Sequence, residues 1–316
     1  MIKLSDVRHL HLELSSDCNA RCPQCPRNFY GYPYNFGYKV TNLSLDRIKS
    51  LLPVAFVAQL TGILINGNYG DFIMNPESVD IVAWFRRHNP TMKIDISTNG
   101  GARDAEFWSG LAQYDPIVSF CIDGLEDTHA LYRQNTVYST VIKNAQTFIS
   151  AGGSAIWCMT EFDHNLHQFK QAEQLSQDLG FIGFYHRSSV RNSGPAYDRQ
   201  GNRVFVMKQL TPGFPEKIDD KFAENNRFSM LTSEHRPVVC EALAQRSLYI
   251  SAEGTIDPCC HVGMNKPKFV WWSGDTELRQ GQFPKTLEDG IAWFNRIEDT
   301  FDTDRQMTAC SGVCGQ

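Results

Sequence analysis

The sequence predicts an α/β fold: an open, partial barrel of six βα units, followed by a small α+β unit built on a β-hairpin. Three observations carry this. Short apolar runs at His9–Leu14, Gly62–Asn66, Lys93–Ser97, Ile117–Ile122, Ala155–Phe162 and Phe181–His186 alternate with helical patterns, the rhythm of a parallel sheet. Residues 188–235 lose that rhythm and scatter Gly, Pro, Asn and Asp through Ser193-Gly194-Pro195 and Thr211-Pro212-Gly213-Phe214-Pro215, as a linker and loop region does. A second rhythm then starts near Cys240, where two short runs flank Ala252-Glu253-Gly254-Thr255, a hairpin with Gly254 at its turn. The expected division is therefore a barrel over 1–190, a linker over 191–237 and a second unit over 238–316.

At 316 residues the chain can bury a sizeable core. A net charge of −5 leaves no electrostatic footprint for a nucleic-acid backbone or an anionic membrane. The start, Met1-Ile2-Lys3-Leu4-Ser5-Asp6, lacks the apolar run of a signal peptide, and no apolar stretch is long enough to span a bilayer. A cytoplasmic protein is expected, with thiols kept reduced, so its ten cysteines point to metal rather than disulfides. Eight gather at the two ends, with Cys121 and Cys158 apart, which suggests two metal sites.

The first expected strand runs into Cys18-Asn19-Ala20-Arg21-Cys22-Pro23-Gln24-Cys25. Three thiolates from one loop can ligate three irons of a [4Fe–4S] cluster and leave the fourth iron open. Zinc is the rival reading, with His9 or His11 as the missing ligand. Strand two leads to Asn66-Gly67-Asn68-Tyr69-Gly70-Asp71, where glycines admit a close ligand and Asp71 can accept from an ammonium. The helix that follows is expected to be capped by Asn75 and started by Pro76, turning Val79, Val82 and Phe85 inward and ending near Asn89. Strand three leads to Ser97-Thr98-Asn99-Gly100, hydroxyl and amide groups suited to a sugar or a carboxylate. Strand four leads to Cys121-Ile122-Asp123-Gly124, with Arg133 downstream.

On strand five, Cys158 is either a small buried apolar side chain or, if it faces the cavity, a catalytic hydrogen-atom donor or acceptor. His164 and His167 follow as capping or surface residues, or as metal ligands. A helix over about Asn165–Leu179 buries Leu166, Phe169, Ala172 and Leu175 and stops at Gly180. Glu13, Arg187 and Arg191 are further cavity candidates. The last helix spans Thr286–Thr300 with Leu287, Ile291, Phe294 and Ile297 on one face, before Cys310 and Cys314.

The C-x3-C-x2-C spacing with these loops resembles the signature of the radical S-adenosylmethionine (SAM) enzymes. The resemblance implies a partial (β/α)6 TIM-like barrel that binds SAM at the open iron. Tyr69-Gly70-Asp71 is similar to the family's Gly-Gly-Glu element for the SAM amino group; Ser97 and Asn99 match its ribose-contacting element. Asp123 lies in an Ile-Asp-Gly stretch that the family places beside SAM, and Arg133 would pair with the SAM carboxylate. Departures are Asp71 for Glu, Cys121 where many members carry Ser, and Gln24 where an aromatic is common. Cys240-x13-Gly254-x4-Cys259 resembles the opening of a SPASM/twitch extension. By that resemblance Cys240, Cys259, Cys310 and Cys314 hold an auxiliary [4Fe–4S] cluster, with Cys260 the alternative to Cys259. The implied activity is reductive cleavage of SAM to a 5′-deoxyadenosyl radical that abstracts hydrogen from a peptide or small polar metabolite. A flavodoxin- or ferredoxin-type protein would be the reductant. The alternatives are a non-catalytic iron–sulfur electron carrier or redox sensor, and a sulfur-inserting enzyme of the same family.

Overall fold

The computed structural model describes residues 1–33, 39–188, 194–207, 215–222, 236–264, 283–303 and 305–315. All six expected strands are present: β1 (His9–Leu12), β2 (Gly62–Ile65), β3 (Lys93–Thr98), β4 (Ile117–Cys121), β5 (Ser154–Thr160) and β6 (Gly183–Arg187). They pair in parallel in sequence order, with helical crossovers between them. In such a sheet the loops after the strands gather at one end, where barrel sites form.

Alternation along β3 shows how sequence becomes layer. Ile94, Ile96 and Thr98 are buried while Lys93 is exposed and Asp95 and Ser97 are half-buried, the period-two pattern of a strand with unlike faces. The crossover helix Ser78–His88 seals one face with Val82 and Phe85, each worth roughly 2 kcal/mol of burial. The regular helix begins at Ser78, two residues after Pro76. Asn75 lies in the turn before it, fully buried, with its amide donating to the carbonyls of Leu14 (2.7 Å) and Leu43 (2.9 Å). Its Oδ1 meanwhile accepts from the Glu77 amide (2.8 Å), the capping contact expected of it, so the same side chain caps the opening turn and ties two segments together. The helix over 165–179 also begins later, at Phe169 after a 3-10 turn. That change of pitch rotates Leu166 out of phase, to 50% exposure. Gly180 ends it with φ +84°, as a helix stop requires.

The region expected to be linker is partly structured. Strands β7 (Pro195–Tyr197) and β8 (Arg203–Val206) pair antiparallel, and Tyr197 and Ile218 pack on Phe29 just beyond the cysteine loop. The Tyr197 amide donates to the Tyr30 carbonyl at 2.9 Å. Aromatic residues interspersed among turn formers supply that core, and no periodicity announces it. Arg191, Ser193 and 211–214 lie outside the described residues.

The hairpin near the second cysteine group forms as expected from β9 (Ser247–Ile250) and β10 (Ile256–Asp257), with Gly254 at φ +72°. It does not form a sheet of its own. β9 pairs parallel with β1, matching His9 to Ser247 and Leu12 to Ile250, so one eight-stranded sheet runs β10-β9-β1-β2-β3-β4-β5-β6. The helix Leu287–Glu298 covers this edge with Leu287, Ile291, Phe294 and Ile297 buried, and Thr286 caps it by accepting from the Asp289 amide. Among the described residues no helix is long and apolar enough to cross a membrane.

Candidate functional site

The loops after β1, β2, β3 and β4 close on a cavity of about 150 Å³ that Cys18, Cys22 and Cys25 line together. Local hydrogen bonds bend the cysteine loop into place. The amides of Cys25 and Asn28 donate to the carbonyls of Cys22 (3.0 Å) and Cys25 (2.9 Å), and Arg27 reaches back to the carbonyls of Ser16 and Tyr69. Burial pushes the Cys22 thiol up to about 12, against the pull of the Arg133 guanidinium, and Cys18 also rises well above its ordinary value. Binding metal would release these protons.

Gly70 and Asp71 line the cavity beside the cysteines. The Asp71 carboxylate, read from sequence as an acceptor for an ammonium, has partners within the chain. One oxygen accepts from the Thr98 hydroxyl (2.8 Å) and the Ile73 amide (3.3 Å), the other from the Asn99 backbone (2.7 Å) and side-chain (2.8 Å) amides. It therefore joins the loops after β2 and β3; burial raises its pKa, offset by those donors. Ser97 and Asn99 line the cavity too. The Asn99 amide also donates to Asn19 Oδ1 at 2.9 Å and lies 3.6 Å from Cys18 Sγ.

Asp123 is fully buried one layer behind the wall. It accepts from the Thr160 amide at 2.6 Å and from Arg133 Nε at 2.5 Å, while Arg133 Nη1 approaches Cys22 Sγ at 3.7 Å. Arg133 thus carries a positive charge to the cavity, fixed by a charge-assisted bond. The turn bearing it, His129–Tyr132, begins at a buried histidine whose Nε2 meets the Thr136 hydroxyl at 3.0 Å. Burial lowers the His129 pKa to about 4. The unfolded chain then takes up a proton near 6.5 that the folded chain refuses, so stability falls as pH drops from 6.5 towards 4. Between pH 7 and 5 this amounts to about 2 kcal/mol. Urea midpoints at the two pH values are expected to shift less in His129→Gln than in the wild type by that amount.

Cys121 lines the cavity, whereas Cys158, its register partner on β5, lies buried behind it. Other candidates stand apart. His164 stacks on Phe162 (centroids 5.3 Å, 6° between planes), and His167 and Arg187 are exposed. His11 Nε2 bonds the Asn66 carbonyl at 2.7 Å. Gln24 does not line the cavity, while Tyr132, which sequence reasoning missed, does; its ring packs on Phe162 at 4.1 Å. An aromatic preceding a candidate arginine was the available signal.

A second, largely apolar cavity is lined by Cys240, Cys259, Cys310 and Cys314 together with His261. Cys260, the alternative to Cys259, is not among its lining residues. Burial raises the Cys259 and Cys240 pKa values. Among the described residues no two cysteines form a disulfide. Among the described residues no group of three or more His, Cys, Asp or Glu side chains could hold a single metal ion. A cluster makes a different demand, one thiolate per iron around a shared space.

No protein-family model matches the chain, and no curated protein does. Solved structures do. SuiB of Streptococcus suis bound to S-adenosylmethionine aligns with a TM-score of 0.55 at 14% identity, over 82% of this chain and 62% of that one. Polyhistidine-tagged anSMEcpe with bound AdoMet aligns at 0.52 and 14% identity, over 80% and 72%. Native anSMEcpe with bound AdoMet and the Kp18Cys peptide aligns at 0.51 and 14%, over 97% and 88%. This chain thus spans less than two thirds of SuiB's length. With a parallel α/β sheet, the cavity at the strand ends and these alignments, the chain has the fold of the radical SAM enzymes.

Proposed function

We propose that the chain is a radical SAM oxidoreductase acting on a peptide or small polar metabolite. The observation that carries this is the facing of Cys18, Cys22 and Cys25 into one cavity, whose remaining walls are the loops after β2, β3 and β4. The donor set fits a [4Fe–4S] cluster with one open iron. Bound there, the cluster and SAM would supply reductive sulfonium cleavage and a 5′-deoxyadenosyl radical for hydrogen abstraction. The chain's own part is orientation. Arg133 offers positive charge for the SAM carboxylate; Ser97 and Asn99 offer polar groups for the ribose; Asp71 keeps the Asn99 loop in register while its neighbour Gly70 lets the loop after β2 lie against the backbone of Ser15 and Asp17.

Cys240, Cys259, Cys310 and Cys314 fit an auxiliary [4Fe–4S] cluster with no open iron, which suits electron transfer better than substrate binding. In this reading 1–190 is the barrel, 191–237 the connection and 238–316 the extension, whose hairpin shares the barrel's sheet. A flavodoxin- or ferredoxin-type reductant and a cytoplasmic location belong to the same proposal.

Anaerobic reconstitution followed by dithionite and SAM tests it. The wild type should carry about eight irons and form 5′-deoxyadenosine, and Cys18→Ala should carry about four and form none. Equal product from both proteins would refute the enzyme reading; about four irons in the wild type would remove the second cluster.

A further inference from the structure

Glu13 is fully buried in the loop after β1 and joins three parts of the chain. One carboxylate oxygen accepts from the backbone amides of Tyr69 (2.6 Å) and Gly70 (3.1 Å); the other accepts from the Tyr249 hydroxyl at 2.5 Å. Tyr249 lies on β9, beside His11 of β1, and belongs to the C-terminal part of the chain. Asn68 donates to the Tyr249 hydroxyl (3.2 Å) and to the Cys260 carbonyl (2.9 Å), and the Tyr69 hydroxyl donates to the Met264 carbonyl (2.7 Å). Three consecutive residues of the cavity wall are therefore fastened to Glu13, to β9 or to the turn that directly follows Cys259. That turn packs closely on the same ring: a Cβ on Gly263 would stand 2.3 Å from Tyr249.

We propose that Glu13 and Tyr249 are positioning residues through which the second cysteine site sets the geometry of the loop 66–71, and hence ligand binding at the first. The loop has no strand or helix of its own over 66–71, so its shape depends on these outside acceptors. Ligation at Cys259 orders the turn 260–264; with the turn loose, Asn68 and Tyr69 lose their carbonyl partners and Tyr249 its packing. No residue of the second cavity lines the first, so any influence of one on the other must pass through such contacts. The effect on SAM rests on the function proposed above; the effect on the loop does not.

Hydrogen exchange by mass spectrometry on the reconstituted protein reads the loop directly. Exchange over 66–71 should quicken about tenfold in Cys310→Ala/Cys314→Ala and in Tyr249→Phe, which loses only a hydroxyl. The combined variant should be no faster than the faster of the two, and Glu13→Gln, which keeps an acceptor for both amides, should stay near the wild type. Exchange unchanged in Tyr249→Phe, or effects that multiply in the combined variant, would overturn the coupling. Equilibrium dialysis with SAM should show binding weakened about fivefold in the same two variants. Unweakened SAM binding with a loosened loop would overturn the link to the ligand. A wild type that binds no SAM would instead sink the proposed function, leaving the exchange result to decide the coupling.

Discussion

Gly70→Ala is expected to lose about 3 kcal/mol or more of stability and to retain little SAM-dependent activity. A Cβ at this position would lie 1.9 Å from the Ser15 carbonyl oxygen and 2.6 Å from that of Asp17. Both obstacles are backbone, so neither can rotate away. The loop after β2 would have to retreat from the cysteine loop, breaking the Asp71 amide's bond to the Asp17 carbonyl (2.8 Å) and the Gly70 amide's bond to Glu13 (3.1 Å). Urea unfolding measures the first effect and 5′-deoxyadenosine formation the second. Gly110→Ala is the control: it lies in the helix Ala105–Ala112 with nothing within 4 Å of an added Cβ. There alanine should stabilise by about 0.5–1 kcal/mol. Equal stability changes at the two glycines would show that the close approach of the two loops is not what Gly70 serves.

Asp123→Ala is expected to cost about 3–5 kcal/mol. The carboxylate is fully buried and its partner Arg133 has a side chain only 16% exposed, so truncation leaves a guanidinium with its principal counter-charge gone. The Thr160 amide loses its acceptor as well, at the end of β5 where Asn165 also ties the Asp123 carbonyl (3.1 Å). Asp123→Asn should cost less, since an amide oxygen can still accept from Thr160. The test of cause is a cycle. In an Arg133→Met background the same Asp123→Ala change should cost about 1–2 kcal/mol, the orphaned amide alone, because no unpaired charge remains. A cost unaffected by the Arg133 change would mean the ion pair contributes little and that the backbone connection is the whole effect.

Strands and cysteine spacing were legible because each is written locally. Apolar runs such as Ile117–Cys121 need only their own composition to become strands, and a loop with three cysteines needs only short reach to bring them together. Cys240, Cys259, Cys310 and Cys314 line one cavity although the last two lie some fifty residues beyond the hairpin, a meeting that no local spacing specifies. Burial of Leu166 was misread because a change of helical pitch turns it outward, whereas Asn75 keeps its capping contact with the Glu77 amide and adds ties to Leu14 and Leu43.

The roles of polar side chains were the least legible. Asp71 lines the cavity wall, yet whether its oxygens face a ligand or the next loop depends on where Thr98 and Asn99 stand, which strand order alone decides. Glu13, read from sequence as a cavity candidate, does not line the cavity and became a tie between loops only when β9 came to lie against β1 and supplied Tyr249. By itself the sequence determined the six parallel strands, the three-cysteine loop and the glycine turn at Gly254, since periodicity, spacing and left-handed backbone are properties of short segments. Only the tertiary structure decided that the C-terminal hairpin extends the barrel's own sheet and grips the loop 66–71. Pairing between segments more than two hundred residues apart is chosen by complementary edges and buried acceptors, and no short stretch of chain records it.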